Sequence, residues 1–230
     1  MSERARIAVV TFPGSNDDRD ACHALELLGA EPLAVWHGDA ELPPVGAVVL
    51  PGGFSYGDYL RAGAIARFSP AMQAVAEFAA GGGLVLGICN GFQVLCEAGL
   101  LPGVLRRNAS LDFVCQDVDV RVERTDTPFT ATAAEGDVLT IPVKHGEGCW
   151  YAGAELLAEL EAAGQIVLRY AGANPNGSVA DVAGVVNRGR NVMGLMPHPE
   201  HAVDPLLGPT GGVAILGSLV AAASRIPVLA

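Results

Sequence analysis

A cysteine with small neighbours stands at the junction of a predicted strand and a predicted helix. Cys89 lies in Gly87-Ile88-Cys89-Asn90-Gly91, directly after the apolar run 84–86 and directly before a helical pattern. Such a turn, a nucleophile elbow, is tight enough to need small residues and exposes its nucleophile at the carboxyl end of a sheet. The free N–H groups and the dipole of the following helix favour a thiolate. The segment therefore predicts nucleophilic catalysis by Cys89.

A histidine and a glutamate that could assist this thiol follow far downstream, in Pro197-His198-Pro199-Glu200. Each proline fixes its own φ and biases the preceding residue toward extended conformations. Because residues two apart in an extended segment point to the same side, we expect His198 to accept the thiol proton and Glu200 to orient the imidazole. The same parity places His201 on the opposite side, outside the site. The alternative is an inert buried cysteine and a surface histidine.

Length, charge and cysteine usage narrow the class of protein. The 230 residues fit one domain over 1–230, and the formal net charge of −11 argues against a nucleic-acid partner. No apolar stretch reaches the roughly 18 residues of a membrane span, and the N-terminal sequence lacks a signal peptide. Five cysteines without framework spacing favour a reducing cytoplasm. Without a Cys-x-x-Cys pair or a His-rich tract, we expect no metal site.

Strand and helix patterns alternate along the chain. Strands are predicted at 6–12, 33–36, 47–50, 84–88, 118–124, 138–143, 166–170 and 192–196. Helices are predicted at 18–28, 70–80, 90–98, near 155–163 and at 212–224. This order predicts a three-layer α/β fold, with a mostly parallel twisted sheet, helices on both faces and an added antiparallel portion. Catalysis should lie beyond the carboxyl ends of the parallel strands.

A second glycine-rich turn follows the strand predicted at 47–50. Because Gly52-Gly53-Phe54 should end near the same sheet edge as the elbow, a glycine N–H there and the N–H of Asn90 could form an oxyanion hole. A tight turn that only needs a positive φ would explain these glycines as well.

The two candidate segments resemble the triad-type (class I) glutamine amidotransferases, which have a flavodoxin-like fold. Longer segments resemble one branch of that family, the glutaminase subunits of phosphoribosylformylglycinamidine synthases. The longest runs from Gly52 to Ala66, and the shorter ones are 12–16, 108–110, 113–115 and 145–148. One departure is Asp17, which stands where the branch often has cysteine, and we expect no catalytic consequence from it.

The resemblance implies a complete reaction. The Cys89 thiolate would attack the side-chain amide of L-glutamine, with His198 and Glu200 completing the triad and the N–H groups of Gly53 and Asn90 binding the oxyanion. Ammonia would pass to a large ATP-dependent synthetase subunit, which would convert formylglycinamide ribonucleotide to its amidine in purine biosynthesis, together with a small accessory subunit. ATP and magnesium would act on that partner, since this chain shows no phosphate loop and needs no cofactor of its own.

The resemblance also points to residues around the triad. Gln93, one helical turn after Cys89, and Asn108 with Ser110 are the candidates for glutamine binding. His145 could touch substrate or partner, although a lone loop histidine is more often merely exposed. The remaining expectations are a loop-ordering or interface role for Asp58 and Arg61, and packing roles for Cys22, Cys96, Cys115 and Cys149.

Three other functions fit parts of the pattern. An amidotransferase serving another synthetase would share the triad, although the segment 52–66 argues against it. A cysteine peptidase or related α/β hydrolase would share the elbow but not the His-Pro-Glu segment. A non-catalytic scaffold subunit would have an unreactive Cys89.

Overall fold

The computed structural model of the protein describes residues 4–226, which form an α/β fold. The strands are β1 (Arg6–Thr11), β2 (Glu31–Trp36), β3 (Ala47–Leu50), β4 (Leu84–Ile88), β5 (Val104–Arg106), β6 (Val114–Val122), β7 (Val138–His145), β8 (Cys149–Tyr151), β9 (Ile166–Ala171), β10 (Val182–Val186) and β11 (Val192–Leu195). The α-helices are α1 (Asp18–Leu27), α2 (Pro70–Ala80), α3 (Asn90–Glu97), α4 (Ala154–Ala162) and α5 (Gly212–Ala223). None of the helices in this described part of the chain is long and apolar enough to cross a membrane.

The main sheet has nine strands in the order β2-β1-β3-β4-β11-β10-β9-β6-β7, and β5 pairs with β8 separately. From β2 to β11 every pair is parallel. All residues of β3, β4 and β11 are buried, so helices and loops cover both faces of this parallel half, as the apolar runs predict. The α/β class and the covered faces of the parallel strands are confirmed.

The antiparallel portion is larger than the sequence predicted. From β11 to β7 every pair is antiparallel, so the sheet is half parallel rather than mostly parallel. Three strands were not predicted: β10, whose short apolar run contains a glycine, and both strands of the small β5–β8 pair. The strand predicted at 118–124 begins four residues after the start of β6, because the first residues of β6 are half-buried or exposed and lack a clear alternation.

Local sequence explains where the helices beside the elbow begin. The side chain of Ser69 caps α2 by accepting a hydrogen bond from the N–H of Met72 at 3.3 Å, and Pro70 occupies the first helical position. At the start of α3, Gly91 faces the end of β3, and a methyl group there would lie 2.7 Å from the carbonyl carbon of Leu50. Glycine at this position therefore lets the helix approach the sheet.

We predict that Gly91→Ala lowers the free energy of unfolding by about 1–3 kcal/mol, the usual cost of forcing extra volume into a packed interior. Gly217→Ala is the matched control, since Gly217 also lies in a helix but its methyl group would meet nothing closer than 4.0 Å. Both variants gain helix propensity of about 1 kcal/mol. Urea unfolding should therefore show destabilisation only for the first, and equal midpoints would contradict the close approach.

Candidate active site

Cys89 stands at the corner between β4 and α3 in an unusual backbone conformation. Its φ of 49° and ψ of −101° lie outside the regions that L-residues ordinarily adopt, and its side chain is nearly buried. A methyl group at Gly87 would lie 2.7 Å from the backbone of Gly91, so the turn needs glycine on its strand side. Strain of this kind persists where the surroundings enforce it, typically at functional sites. The predicted elbow geometry is confirmed.

The register of the parallel strands brings three segments to one edge. Leu195 of β11 pairs with Ile88 of β4, so His198 and Cys89 follow neighbouring strands at matching heights. Leu50 of β3 pairs with Gly87, which brings Gly53 to the same edge. The meeting of these segments at the carboxyl ends of parallel strands follows the prediction.

His198 and Glu200 are buried and bonded to each other. Nδ1 of His198 lies 2.5 Å from Oε1 of Glu200. The expected pairing is present, but the expected reason was wrong, because Pro199–His201 is a turn of 3₁₀-helix and not an extended strand. Since residues three apart eclipse in a 3₁₀ turn, His201 lies on the same side as His198, with ring centroids 5.5 Å apart. The prediction that His201 lies outside the site was therefore wrong.

Asp17, to which the sequence analysis gave no consequence, lies inside the site. It is buried and accepts hydrogen bonds from the ammonium of Lys144 and from Nε2 of His201, the latter at 3.3 Å. Its Oδ2 is 3.6 Å from Nδ1 of His198. Burial alone raises the pKa of Asp17, but the hydrogen bond from His201 and the charges of His198 and Lys144 lower it to about 2. The imidazole of His198 thus faces two carboxylates, of which Glu200 is the nearer.

The charges around His198 favour its imidazolium form. Burial alone lowers the pKa of His198, but the charges of Glu200 and Cys89 raise it to about 10. Because the pKa of His198 is higher in the folded chain than in the unfolded chain, protonation of His198 stabilises the fold. This stabilisation is fully present below pH 6.5 and is lost as the pH rises through about 10. The surroundings of His198 therefore stabilise the imidazolium that forms when His198 takes a proton from Cys89.

Cys89 and His198 both line one cavity of about 380 Å³. The thiol donates a hydrogen bond to the carbonyl oxygen of Lys144 at 3.8 Å, and Nε2 of His198 has no hydrogen-bond partner among residues 4–226. Proton transfer therefore requires the thiol to leave that carbonyl for Nε2. Catalytic hydrogen bonds commonly tighten in this way when substrate binds.

The two predicted oxyanion donors flank the nucleophile. Gly53 lines the cavity with φ 147°, and a side chain there would lie 2.8 Å from the backbone nitrogen of Asn16. Asn90 is the first residue of α3, so its N–H has no partner within the helix. Both backbone positions suit a hole beside Cys89. Their role stays a prediction.

The side chain of Gln93 lines the cavity, but its two polar ends are already bonded. Oε1 accepts a hydrogen bond from Nδ2 of Asn90 at 2.8 Å, and Nε2 donates to the carbonyl oxygen of Glu147 at 2.7 Å. Gln93 therefore joins the elbow helix to the loop after β7. Contact with glutamine would require it to exchange one of these bonds.

Asn108 and Ser110 do not line the cavity. The buried side chain of Asn108 donates to the carbonyl oxygens of Asp112 and His145 and accepts from the N–H of Gly148 and from the His145 ring. Ser110 is exposed and accepts a hydrogen bond from the N–H of Asp112. The structure therefore gives no support to their predicted contact with glutamine.

The structure decides two further expectations about individual residues. His145, for which contact with substrate or partner and simple exposure were both left open, is buried on the cavity wall, and burial, reinforced by the charge of His198, lowers its pKa to about 4. It is therefore neutral near pH 7. Cys115, expected as a packing residue, is exposed, because it lies on the outer strand pair β6–β7.

One group of side chains has the composition of a metal site. Asp17, His198, Glu200 and His201 offer ligand atoms within 4.8 Å of one another. However, the Lys144 ammonium already neutralises Asp17, and His198 already bonds Glu200. The group therefore fits a network that orients an imidazole better than a cation site.

Comparison with known proteins relates the chain to one family. The family model of the CobB/CobQ-like glutamine amidotransferase domain matches residues 4–210. Phosphoribosylformylglycinamidine synthase subunit PurQ of Rubrobacter xylanophilus is 62% identical over 218 residues, which cover 95% of this chain and 99% of that protein. The same subunit of Frankia casuarinae is 62% identical over 205 residues, covering 89% and 88%. Among solved structures, a chain in the PurLQS structure from Thermotoga maritima matches with a TM-score of 0.88 and 45% identity, covering 95% of this chain and 99% of that one.

Proposed function

The chain belongs to the CobB/CobQ-like glutamine amidotransferase family, and we propose that it is the glutaminase subunit of phosphoribosylformylglycinamidine synthase. The observation that carries this proposal is the cavity that Cys89 shares with His198, whose Nδ1 pairs with the buried Glu200, in a chain 62% identical to such a subunit over 95% of its length. The substrate is L-glutamine, and the products are glutamate and ammonia.

Catalysis begins when the thiol of Cys89 loses its proton to Nε2 of His198. The thiolate attacks the side-chain amide carbon of glutamine, and the imidazolium then protonates the departing ammonia. The γ-glutamyl thioester left on Cys89 is hydrolysed by water, which gives up a proton to His198 as it attacks. Glu200 holds the imidazole in the required tautomer and stabilises its charged form.

The oxyanion of each tetrahedral intermediate binds the N–H groups of Gly53 and Asn90. A fixed backbone donor of this kind contributes roughly 3–4 kcal/mol to transition-state stabilisation. Support for the assignment comes from the position of Gly53 on the cavity wall and of Asn90 at the N-terminus of α3.

The ammonia is used within a complex that has two protein partners. A large synthetase subunit activates formylglycinamide ribonucleotide with ATP and magnesium, and ammonia displaces the activated oxygen to give formylglycinamidine ribonucleotide. A small accessory subunit completes the complex. The name PurLQS of the related Thermotoga maritima structure supports this composition, and five free cysteines are consistent with the cytoplasm as its location.

We predict that these partners stimulate glutamate release by at least about tenfold, because hydrolysis without them would waste glutamine and because Cys89 bonds the Lys144 carbonyl rather than His198 in the chain alone. The test measures glutamate from the purified chain alone, and then with both partner subunits, ATP and formylglycinamide ribonucleotide. Glutamate and ADP should form in equal amounts. Glutamate release that the partners leave unchanged would refute the choice of synthetase, and no release at all would refute the glutaminase.

A further inference from the structure

Asp58 brings an unpaired carboxylate oxygen to the cavity of Cys89. It lies at the end of the 3₁₀ turn Ser55–Asp58 and lines the cavity, with its Oδ1 buried and without a hydrogen-bond partner among the described residues. A buried acceptor left unpaired costs about 1–3 kcal/mol, and more when it is charged. Such a group calls for an explanation.

The other charged side chains of the cavity have partners. Asp17 is bonded to Lys144, and Glu147 lies 3.7 Å from the guanidinium of Arg107. His145 is neutral near pH 7, and His198 faces Glu200. Among the described residues of the wall, Asp58 therefore holds the carboxylate oxygen best placed to receive a cation from a ligand.

The charges around Asp58 also favour a cationic ligand. Burial, reinforced by the negative charge of Glu147, raises the pKa of Asp58 to about 6. Two carboxylates that repel each other across a cavity are both stabilised by a positive charge placed between them. An ammonium group placed beside Asp58 would therefore favour its ionised form.

The loop that carries Asp58 is fixed relative to the nucleophile. The N–H of Ser55 donates to Oδ1 of Asn90 at 3.1 Å, which ties the loop to the residue after Cys89. The hydroxyl of Tyr56 lies 2.7 Å from Nδ1 of His37, and Asp58 itself has a left-handed φ of 52°. Strained residues held in this way are found at ligand clamps.

We propose that Asp58 binds the α-ammonium group of glutamine and thereby selects α-amino acid amides over simple amides. The inference rests on the proposed function, because it places the side-chain amide of the same substrate at Cys89. A carboxylate that receives an ammonium in a buried site also explains why its oxygen has no partner within the chain. On this proposal Asp58 is a specificity residue, whereas the sequence suggested a loop-ordering or interface role.

The test compares glutamine with glutaramate, which has the same amide and carboxylate but no α-amino group. In the complex with its partner subunits, the wild-type chain should hydrolyse glutamine with the higher kcat/KM. Asp58→Asn should lower kcat/KM for glutamine by about 10- to 100-fold, mainly through KM, the range expected for a lost charged hydrogen bond. The ratio of the two substrates should fall toward one. Glu159→Gln, which removes an exposed carboxylate from α4, is the control and should keep the wild-type ratio.

Each contrary result identifies what has failed. If Asp58→Asn keeps the wild-type ratio, whether or not both activities fall, Asp58 does not recognise the ammonium and the inference is overturned. Protection of Cys89 from iodoacetamide by glutamine gives the same comparison by binding alone, and equal protection of the wild type and the variant would also overturn it. If the wild type hydrolyses neither amide, the proposed function fails, and the inference fails with it.

Discussion

Cys89→Ser should reduce glutamine-dependent formation of formylglycinamidine ribonucleotide by on the order of 10⁴-fold or more, the scale seen when a catalytic nucleophile is removed. The same complex should keep its ammonia-dependent synthesis, because ammonia bypasses Cys89 and enters the reaction on the partner subunit. The two activities are measured in one assay, with glutamine or an ammonium salt as the nitrogen source. The hydroxyl replaces the thiol with little change in volume, so the fold should be retained.

The control for this experiment is Cys115→Ser, since Cys115 is exposed on the outer strand pair. It should leave both activities at the wild-type level. Equal loss of the glutamine- and ammonia-dependent activities in Cys89→Ser would contradict the separation of the two sites. Full glutamine-dependent activity in that variant would contradict the assignment of the nucleophile.

Glu200 and Asp17 both lie beside His198, but removing the charge of Glu200 should reduce kcat far more than removing the charge of Asp17. We predict that Glu200→Gln lowers kcat for glutamine hydrolysis by on the order of 10²–10⁴-fold, because the imidazole loses the acceptor that fixes its tautomer and stabilises its charge. Asp17→Asn should cost no more than about tenfold, the equivalent of one pKa unit. Its oxygen is 3.6 Å from Nδ1, compared with 2.5 Å for Glu200, and its charge is shared with Lys144.

The rate at which Cys89 is alkylated at pH 7 shows whether Glu200→Gln acts through the imidazole of His198 or through misfolding. Loss of Glu200 lowers the pKa of His198 and weakens the thiolate–imidazolium pair, so iodoacetamide should react more slowly with Glu200→Gln than with the wild type. Asp17→Asn should react nearly as fast as the wild type. If Asp17→Asn instead causes the larger loss in both measurements, Asp17 is the third member of the triad.

The parts of the site that the sequence predicted correctly are those encoded locally. The elbow follows from glycines on either side of Cys89, one facing α3 and the other facing β3, where any side chain would meet backbone atoms at close range. The edge where the segments meet follows from the parallel order of β3, β4 and β11, each of which reads as an apolar run. Both features can be predicted from residues close together in the sequence and from the general geometry of parallel sheets.

The parts that the sequence did not predict depend on tertiary contacts. Asp17 follows β1, yet it bonds Lys144 and His201 from distant elements, a network that no spacing encodes. The side of the chain on which His201 lies depends on whether Pro199 starts a 3₁₀ turn or continues a strand, and proline is compatible with both. The lack of a hydrogen-bond partner for Oδ1 of Asp58 can be recognised only when the surrounding hydrogen bonds are known.

The most direct test of the account is to react the protein with 6-diazo-5-oxo-L-norleucine, a glutamine analogue that alkylates the nucleophile it binds beside, and to locate the adduct by peptide mass spectrometry. We expect one adduct per chain, on Cys89, formed more slowly in the presence of glutamine and absent from Cys89→Ser. The other four cysteines should remain unmodified. An unmodified Cys89, or an adduct on another cysteine that glutamine does not slow, would contradict the claim that Cys89 attacks glutamine.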